Sequence, residues 1–392
     1  MTDAFLDREA GEAGKRRTAH LAGFHTNEQL PSLPPPVSTT GVLGWIRENL
    51  FSGWFNTSLT LLGLYLIWLI VPPFIEFTVI NAVWTGANRE ACLGPEVGAC
   101  WPFVWARFNQ FMYGFYPNEE VWRVNLVFLL GALGIAALVI PAVPAKRVIG
   151  VLMLTAYPLV TFFLLTGGSF GLPVVETAQW GGLLVTLVVA VSGIVASLPI
   201  GILLALGRRS DMPLVRMVCI AFIEFWRGIP LITVLFMASV MLPLFLPEGV
   251  NFDKLLRCLI GVALFASAYM AEVVRGGLQA IPKGQYEAAM ALGLGYWKRM
   301  RLIILPQALK LVIPGIVNTF IGLFKDTTLV LIIGLFDLLG AVQQGLTDPN
   351  WSTPVTATTG YIFAGFGFWI FCFGMSRYSI YMERKLDTGR RN

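Results

Sequence analysis

The chain has 392 residues, of which 56% are hydrophobic and 13% charged, with a formal net charge of +5. That balance excludes an ordinary soluble domain, where about 25% of residues are charged, and it demands a membrane. The basic excess reads as an orientation signal rather than a nucleic-acid footprint. His20 and His25 are the only histidines and both precede the apolar segments, so no metal site is expected among the spans.

Residues 1–53 hold Lys15-Arg16-Arg17, Pro31 and Pro34-Pro35-Pro36 with few aromatics, and read as a flexible cytoplasmic leader. The first apolar run begins too late, and without a small-residue cleavage site, for a signal peptide. Runs of roughly 20 apolar residues cross a bilayer core, and three are expected at 55–74, 124–140 and 148–166. The loop 77–123 between the first two carries Trp84, Trp101, Trp105, Phe108, Phe111, Tyr113, Phe115, Tyr116 and Trp122, a belt that predicts a segment lying back on the membrane surface. Cys92 and Cys100 fall in this loop with Gly94, Pro95 and Gly98 between them, which leaves a disulfide and two free thiols both open. Cys219, Cys258 and Cys372 fall in apolar runs as packing residues.

Five further spans are expected at 182–206, 214–246 (interrupted by proline), 255–274, 308–323 and 361–381. An ionisable group at the centre of a span costs roughly 2.5 to 3.5 kcal/mol and needs a partner. Glu224 and Arg227 stand three apart on one helical face, and so do Glu272 and Arg275, which predicts two local pairs. After the span 255–274 comes a loop of high helix propensity over 285–292, closed by Gly293-Leu294-Gly295. A second short helix over 296–304 carries Lys298, Arg299 and Arg301, and Pro306 suits the first turn of the next span. By residue type alone this is either an amphipathic interfacial loop or an element built to be gripped.

Asp326 follows the span 308–323 and precedes 327–346, which reads as a short gate or re-entrant helix. A zwitterionic substrate needs an acceptor for its ammonium and donors for its carboxylate. Asp326 suits the first, and Thr327, Thr328 and free N–H groups at the next helix start suit the second. The competing reading is a Lys325–Asp326 pair that only caps that helix. Lys and Arg concentrate in the segments that are inside when the N-terminus is inside, while Arg89, Arg107, Arg123, Lys254 and Arg257 fall outside. This predicts eight crossings with both termini cytoplasmic. Gly14-Lys15 is followed by Arg16, so no phosphate-binding G-K-[ST] loop exists and the chain hydrolyses no ATP alone.

The spacing of Glu287-Ala288-Ala289, Gly293, Ile303 and Leu305-Pro306 resembles the EAA signature of permease subunits of bacterial ABC importers. Gly181-Gly182-Leu183-Leu184-Val185-Thr186-Leu187, Phe225-Trp226-Arg227-Gly228-Ile229-Pro230-Leu231, Ala268-Tyr269-Met270-Ala271-Glu272 through Gly277, and Lys325-Asp326-Thr327-Thr328-Leu329 extend the likeness. Residues 181–383 thus resemble the permease unit of the polar amino acid importer family nearly end to end, with Thr328 in place of a serine. The extra spans, Ser376-Arg377-Tyr378-Ser379 and Glu383-Arg384 are similar to the M subunit of the Aap/Bzt-type general L-amino-acid importer.

The resemblance implies an all-α polytopic membrane protein of about eight transmembrane helices. It would comprise a leader at 1–53, three extra helices at 54–180 and a five-helix permease core at 181–392. The EAA coupling loop at 281–306 would dock on an ATPase through Glu287, Ala288, Ala289 and Gly293. The resemblance further implies an inner-membrane heterodimer with a second homologous permease, two ATPase subunits that use ATP and Mg, and a periplasmic amino-acid-binding protein, with no cofactor held by this chain and broad L-amino-acid substrates. Against this stand a secondary transporter, which would show paired inverted repeats, and a nonenzymatic scaffold, which would not need the EAA loop.

Overall fold

The computed structural model describes residues 41–245, 247 and 252–386. The leader expected over 1–53 lies outside the described residues as far as residue 40, and Gly41–Asn49 is a helix. The described residues divide into two compact units between Phe74 and Ile75.

Among the described residues seven helices are long and apolar enough to cross a membrane, and eight spans result if one bent pair counts as a single one. They are Trp54–Ile80, Asn118–Val139, Lys146–Thr166, Gly182–Arg208, Lys254–Ala280, Ile313–Ile333 and Thr356–Leu386, with the pair Pro213–Gly228 and Leu231–Phe245 bent by 103°. The bend falls where Pro230, which has no N–H to continue the ladder, follows the extended Ile229. Trp54–Ile80 is apolar all round with none of its hydrophobic window buried, the pattern of a helix that faces lipid.

The core is the pair Gly182–Arg208 and Lys254–Ala280. On the first helix Thr186, Ala190, Gly193, Ser197, Gly201 and Ala205 are buried at steps of three and four, a stripe of small residues that lets two helix backbones approach. A Cβ on Gly201 would lie 2.7 Å from Met270 Cβ and 3.0 Å from the Ala271 nitrogen. With few apolar-to-water gradients inside lipid, this close packing replaces the hydrophobic effect as the source of specificity. The second and third spans form a hairpin in which the Tyr157 hydroxyl donates to the Val127 carbonyl at 3.1 Å. Val124, Val127 and Leu165 from that hairpin join Leu184, Val185 and Val189 in one buried cluster.

Two expected boundaries move. Pro306 does lie in a first turn, but of the short helix Leu305–Leu311; the span itself restarts at Ile313 with Pro314 in its first turn. The helix expected over 327–346 is split. Thr327–Ile333 continues the preceding span as a tighter-wound turn, Gly334 reverses the chain at φ 74°, and only Leu338–Gly345 is a separate helix, called the gate helix below.

Gly201→Leu is expected to lower the thermal unfolding midpoint in detergent, corresponding to about 1–3 kcal/mol of overpacking. Gly276→Ala, at a glycine with open space around it, should leave the midpoint unchanged; intrinsic tryptophan fluorescence reads both.

Candidate functional site: coupling loop, ion network and gate

The loop after Lys254–Ala280 folds as the helix Lys283–Ala291 and then Tyr296–Arg299. The first helix ends in a Schellman turn: the Leu294 N–H donates to the Ala289 carbonyl at 3.2 Å and the Gly293 N–H to that of Met290 at 2.9 Å, with Gly293 at φ 72°. That left-handed position suits glycine, whereas Gly295 has φ −60° and begins the next helix. Ala289 is buried, and just beyond the loop Met300, Ile304 and Ala308 are buried with Met270, Val274 and Leu278 in one cluster. Glu287, Ala288 and Gly293 are exposed. So are Met290, Leu292 (76%) and Trp297 (68%), an apolar knob that projects from the bundle. Tyr286 pins the loop from below, donating to the Leu278 carbonyl at 3.0 Å and accepting from Arg209 at 3.2 Å.

Above the loop sits an ion network that differs from the two expected pairs. Glu272 and Arg275 do pair, Oε2 to Nη2 at 2.7 Å. Glu224 and Arg227 do not pair with each other. Arg208, from the end of Gly182–Arg208, reaches both Glu224 Oε1 and Glu272 Oε1 at 2.8 Å, and Arg227 turns to Glu272 Oε2 at 3.7 Å. Three helices therefore share one carboxylate. Sequence spacing finds partners only on the same helix, and nothing local to Arg208 announced its role.

At Asp326 the structure removes the Lys325–Asp326 capping pair and the expected threonine and helix-start donors. The carboxylate makes no salt bridge within 4 Å among the described residues, Lys325 included, and caps no helix. The Thr327 hydroxyl, 1% exposed, donates to the Phe324 carbonyl at 2.8 Å, and the Thr328 hydroxyl to that of Lys325 at 3.0 Å. Those protons are engaged in back-bonding, so neither threonine is a free donor for a substrate carboxylate. No free helix start follows Asp326 either, because the helical path runs on through 327–333.

The helix start lies at the gate helix instead, and its first N–H groups are already taken. Asp337, fully buried, accepts from the Gly340 N–H at 2.9 Å and the Leu339 N–H at 3.3 Å, and Thr186 accepts from the Leu338 N–H at 2.9 Å. Burial pushes the Asp337 carboxyl up to about 6 against the pull of these backbone donors. An aspartate directly before an apolar run is an N-cap signal, and it was the one legible clue to this helix start.

The outer loop packs on the gate rather than lying on a surface. Cys92 and Cys100 are joined by a disulfide with Cα atoms 5.7 Å apart. Phe103 and Phe111 are buried with Leu338, Ala341 and Val342; Trp84, Trp105, Phe115 and Trp122 stay exposed. The Cys100 N–H donates to Thr359 at 2.9 Å, and Arg107 pairs with Asp348, holding that carboxyl below the usual carboxylate range. Among the described residues no cluster of three or more His, Cys, Asp or Glu could hold a metal.

A family model described as binding-protein-dependent transport system inner membrane component matches residues 197–388. The chain is 55% identical to the inner membrane amino-acid ABC transporter permease protein YhdY of Escherichia coli K12, over 92% of this chain and 97% of that protein. It is 43% identical to the glutamate/glutamine/aspartate/asparagine transport system permease protein BztC of Rhodobacter capsulatus, over 94% and 99%. A crystal structure of an amino acid ABC transporter with histidines aligns at 29% identity and TM-score 0.46, over 52% of this chain and 92% of that one. The chain belongs to the family of binding-protein-dependent inner membrane transport components. It is a membrane-spanning permease subunit, a transport component rather than an ATPase.

Arg208→Met should destabilise the subunit more than Glu224→Gln. The first removes the charge-assisted bond to the mostly buried Glu272, of about 1.5–3 kcal/mol, together with the bond to Glu224, whereas Glu224 is 54% exposed and its pair alone is worth about 0–1 kcal/mol. Thermal midpoints of the two variants in one detergent give the order; equal losses would mean that Arg208 is not the hub.

Proposed function

We propose that this chain is the permease subunit of an ATP-driven ABC importer that moves L-amino acids of broad range from periplasm to cytoplasm. The carrying observation is the coupling loop, a short helix rigidly closed by the Gly293 turn and pinned by Tyr286 that nevertheless exposes Met290 and Leu292. An apolar knob of this kind marks an interaction surface, and in this reading a protein covers it. Glu287, Ala288 and Gly293 form its exposed rim and Ala289 its seat. The names of the two relatives support amino acids as cargo.

In this reading the covering protein is one of two ATPase subunits that use ATP and Mg. The chain pairs with a second homologous permease and receives substrate from a periplasmic binding protein. The leader is 1–53, the extra helices 54–180, and the permease core 181–392, with both termini cytoplasmic, as the Lys and Arg distribution favours. Asp326, a carboxylate without a salt bridge among the described residues, accepts the substrate ammonium; Thr327 and Thr328 shape the site through their back-bonded hydroxyls.

Reconstituted complex in proteoliposomes, with binding protein and ATP, tests this. Glu287→Lys or Gly293→Asp should abolish ATP-driven amino-acid uptake while the subunit still inserts, and normal uptake in both would remove the coupling assignment. Asp326→Asn should raise the half-saturating substrate concentration about tenfold or more, as expected for a lost charge-assisted bond of about 1.5–3 kcal/mol, with ATPase binding retained. Unchanged uptake kinetics would dismiss Asp326 as a substrate contact.

A further inference from the structure

The outer loop 77–123 is a cap joined to both ends of the gate helix rather than an appendage. Gly114, which ends the helix Phe108–Tyr113, bridges Trp180, and the two residues after Trp180 bridge the segment that enters the gate helix: Gly181 to Phe336 and Gly182 to Asp337. On its other side the cap holds the connection between the gate helix and the last span, through the pair Arg107–Asp348 and the Arg89 N–H donating to the Asn350 carbonyl at 2.9 Å.

Where these two walls meet lies a wide-mouthed cleft of about 300 Å³ lined by Asn88, Arg89, Glu90, Pro349 and Asn350. One wall belongs to the cap and the other to the gate connection. Neither the Arg89 nor the Glu90 side chain makes an ion pair with any described residue, and both are exposed. They are nevertheless presented stiffly. The turn Arg89–Cys92 is opened by the Asn88 side chain, which accepts from the Glu90 N–H at 3.2 Å, and is closed by the Cys92–Cys100 disulfide. Opposite it, Asp348 accepts from the Asn350 N–H at 3.0 Å. Leu93 (51%) and Trp84 (54%) stand exposed on the same cap.

We propose that this cleft is where the system's substrate-loaded binding protein docks, so that docking bears directly on the gate helix; the proposal rests on the importer reading above. Three observations favour a protein. A rigid cation and anion side by side, with apolar groups on the same cap, match a protein surface that carries the complementary pair. A lipid headgroup of one charge would be repelled by one of the two. The cleft is too open to bury most of a small ligand. The cleft also lies at the Gly182 end of the bundle, whereas the coupling loop hangs from the Arg208 end through Arg209 and Tyr286, which is the side where a delivering partner must act.

The test uses the full transporter complex in nanodiscs, with its binding protein titrated and ATP hydrolysis as the readout. Arg89→Glu and Glu90→Lys should each raise the half-saturating concentration of binding protein about tenfold at low salt. The difference should shrink toward the unsubstituted complex at about 0.5 M salt, where the Debye length falls to a few ångströms. Glu96→Lys, an exposed charge on the same cap but outside the cleft, serves as control and should leave the half-saturation unchanged. Unchanged half-saturation in both cleft variants, or an equal rise in the control, would overturn the docking site while leaving the importer reading intact. A complex without substitutions whose ATP hydrolysis ignores the binding protein would overturn the importer reading, and the docking site with it.

Discussion

Backbone groups that leave a helix near a membrane must find partners, because an unpaired buried N–H or carbonyl costs several kcal/mol. At Gly181 and Gly182 three segments solve that problem together. The chain leaving the cap, the chain entering the fourth span and the chain entering the gate helix run side by side, with Asp337 and Thr186 filling the donors that remain. No side chain fits there. A Cβ on Gly182 would lie 2.1 Å from the Phe111 carbonyl oxygen, and the residue holds φ 62°. The cap and the gate are therefore parts of one hydrogen-bonded junction, and the position of each fixes the other.

That junction explains which parts of the structure were legible beforehand. The spans were, because each is a long apolar run and lipid leaves few alternatives. The close of the coupling helix at Gly293 was also legible, since a glycine after an Ala, Met and Leu run is a local signal for a left-handed turn. The cap was not. Its aromatic residues read as a membrane-surface belt because composition cannot tell Phe103 and Phe111, buried against the gate, from Trp105, which is exposed. The sorting depends on the Gly114–Trp180 bridge, a pairing between residues more than sixty apart.

The charged groups show the same limit from the other side. Glu224 and Arg227 share a helical face, and three-residue spacing rightly makes them neighbours, but proximity along one helix loses to better partners across the bundle. Arg208 arrives from another span with two donors' worth of geometry for Glu224 and Glu272. Around Asp326 the error lay in helix continuity. A Lys-Asp-Thr-Thr run looks like a helix boundary, whereas the chain winds on more tightly to Ile333 and moves the true helix start to Leu338, behind the N-cap Asp337.

The helix Gly182–Arg208 joins the two ends of the molecule. Its 27 residues span about 40 Å at 1.5 Å per residue, from the cap junction at Gly182 to the ion network at Arg208, beside which Arg209 holds Tyr286 of the coupling loop. A displacement of that loop either carries the network with it or separates Arg208 from Glu272, the least exposed member of the network. The network therefore ties three helices together at this end of the bundle. Bending is left to positions where the backbone already departs from the helix and no ion pair crosses the break. Val312, at φ −107° and ψ 11°, and the extended Ile229 before Pro230 meet that requirement. They bracket the loop-bearing part of the bundle, which Gly182–Arg208 joins to the gate through the ion network at one end and the Gly182–Asp337 bridge at the other.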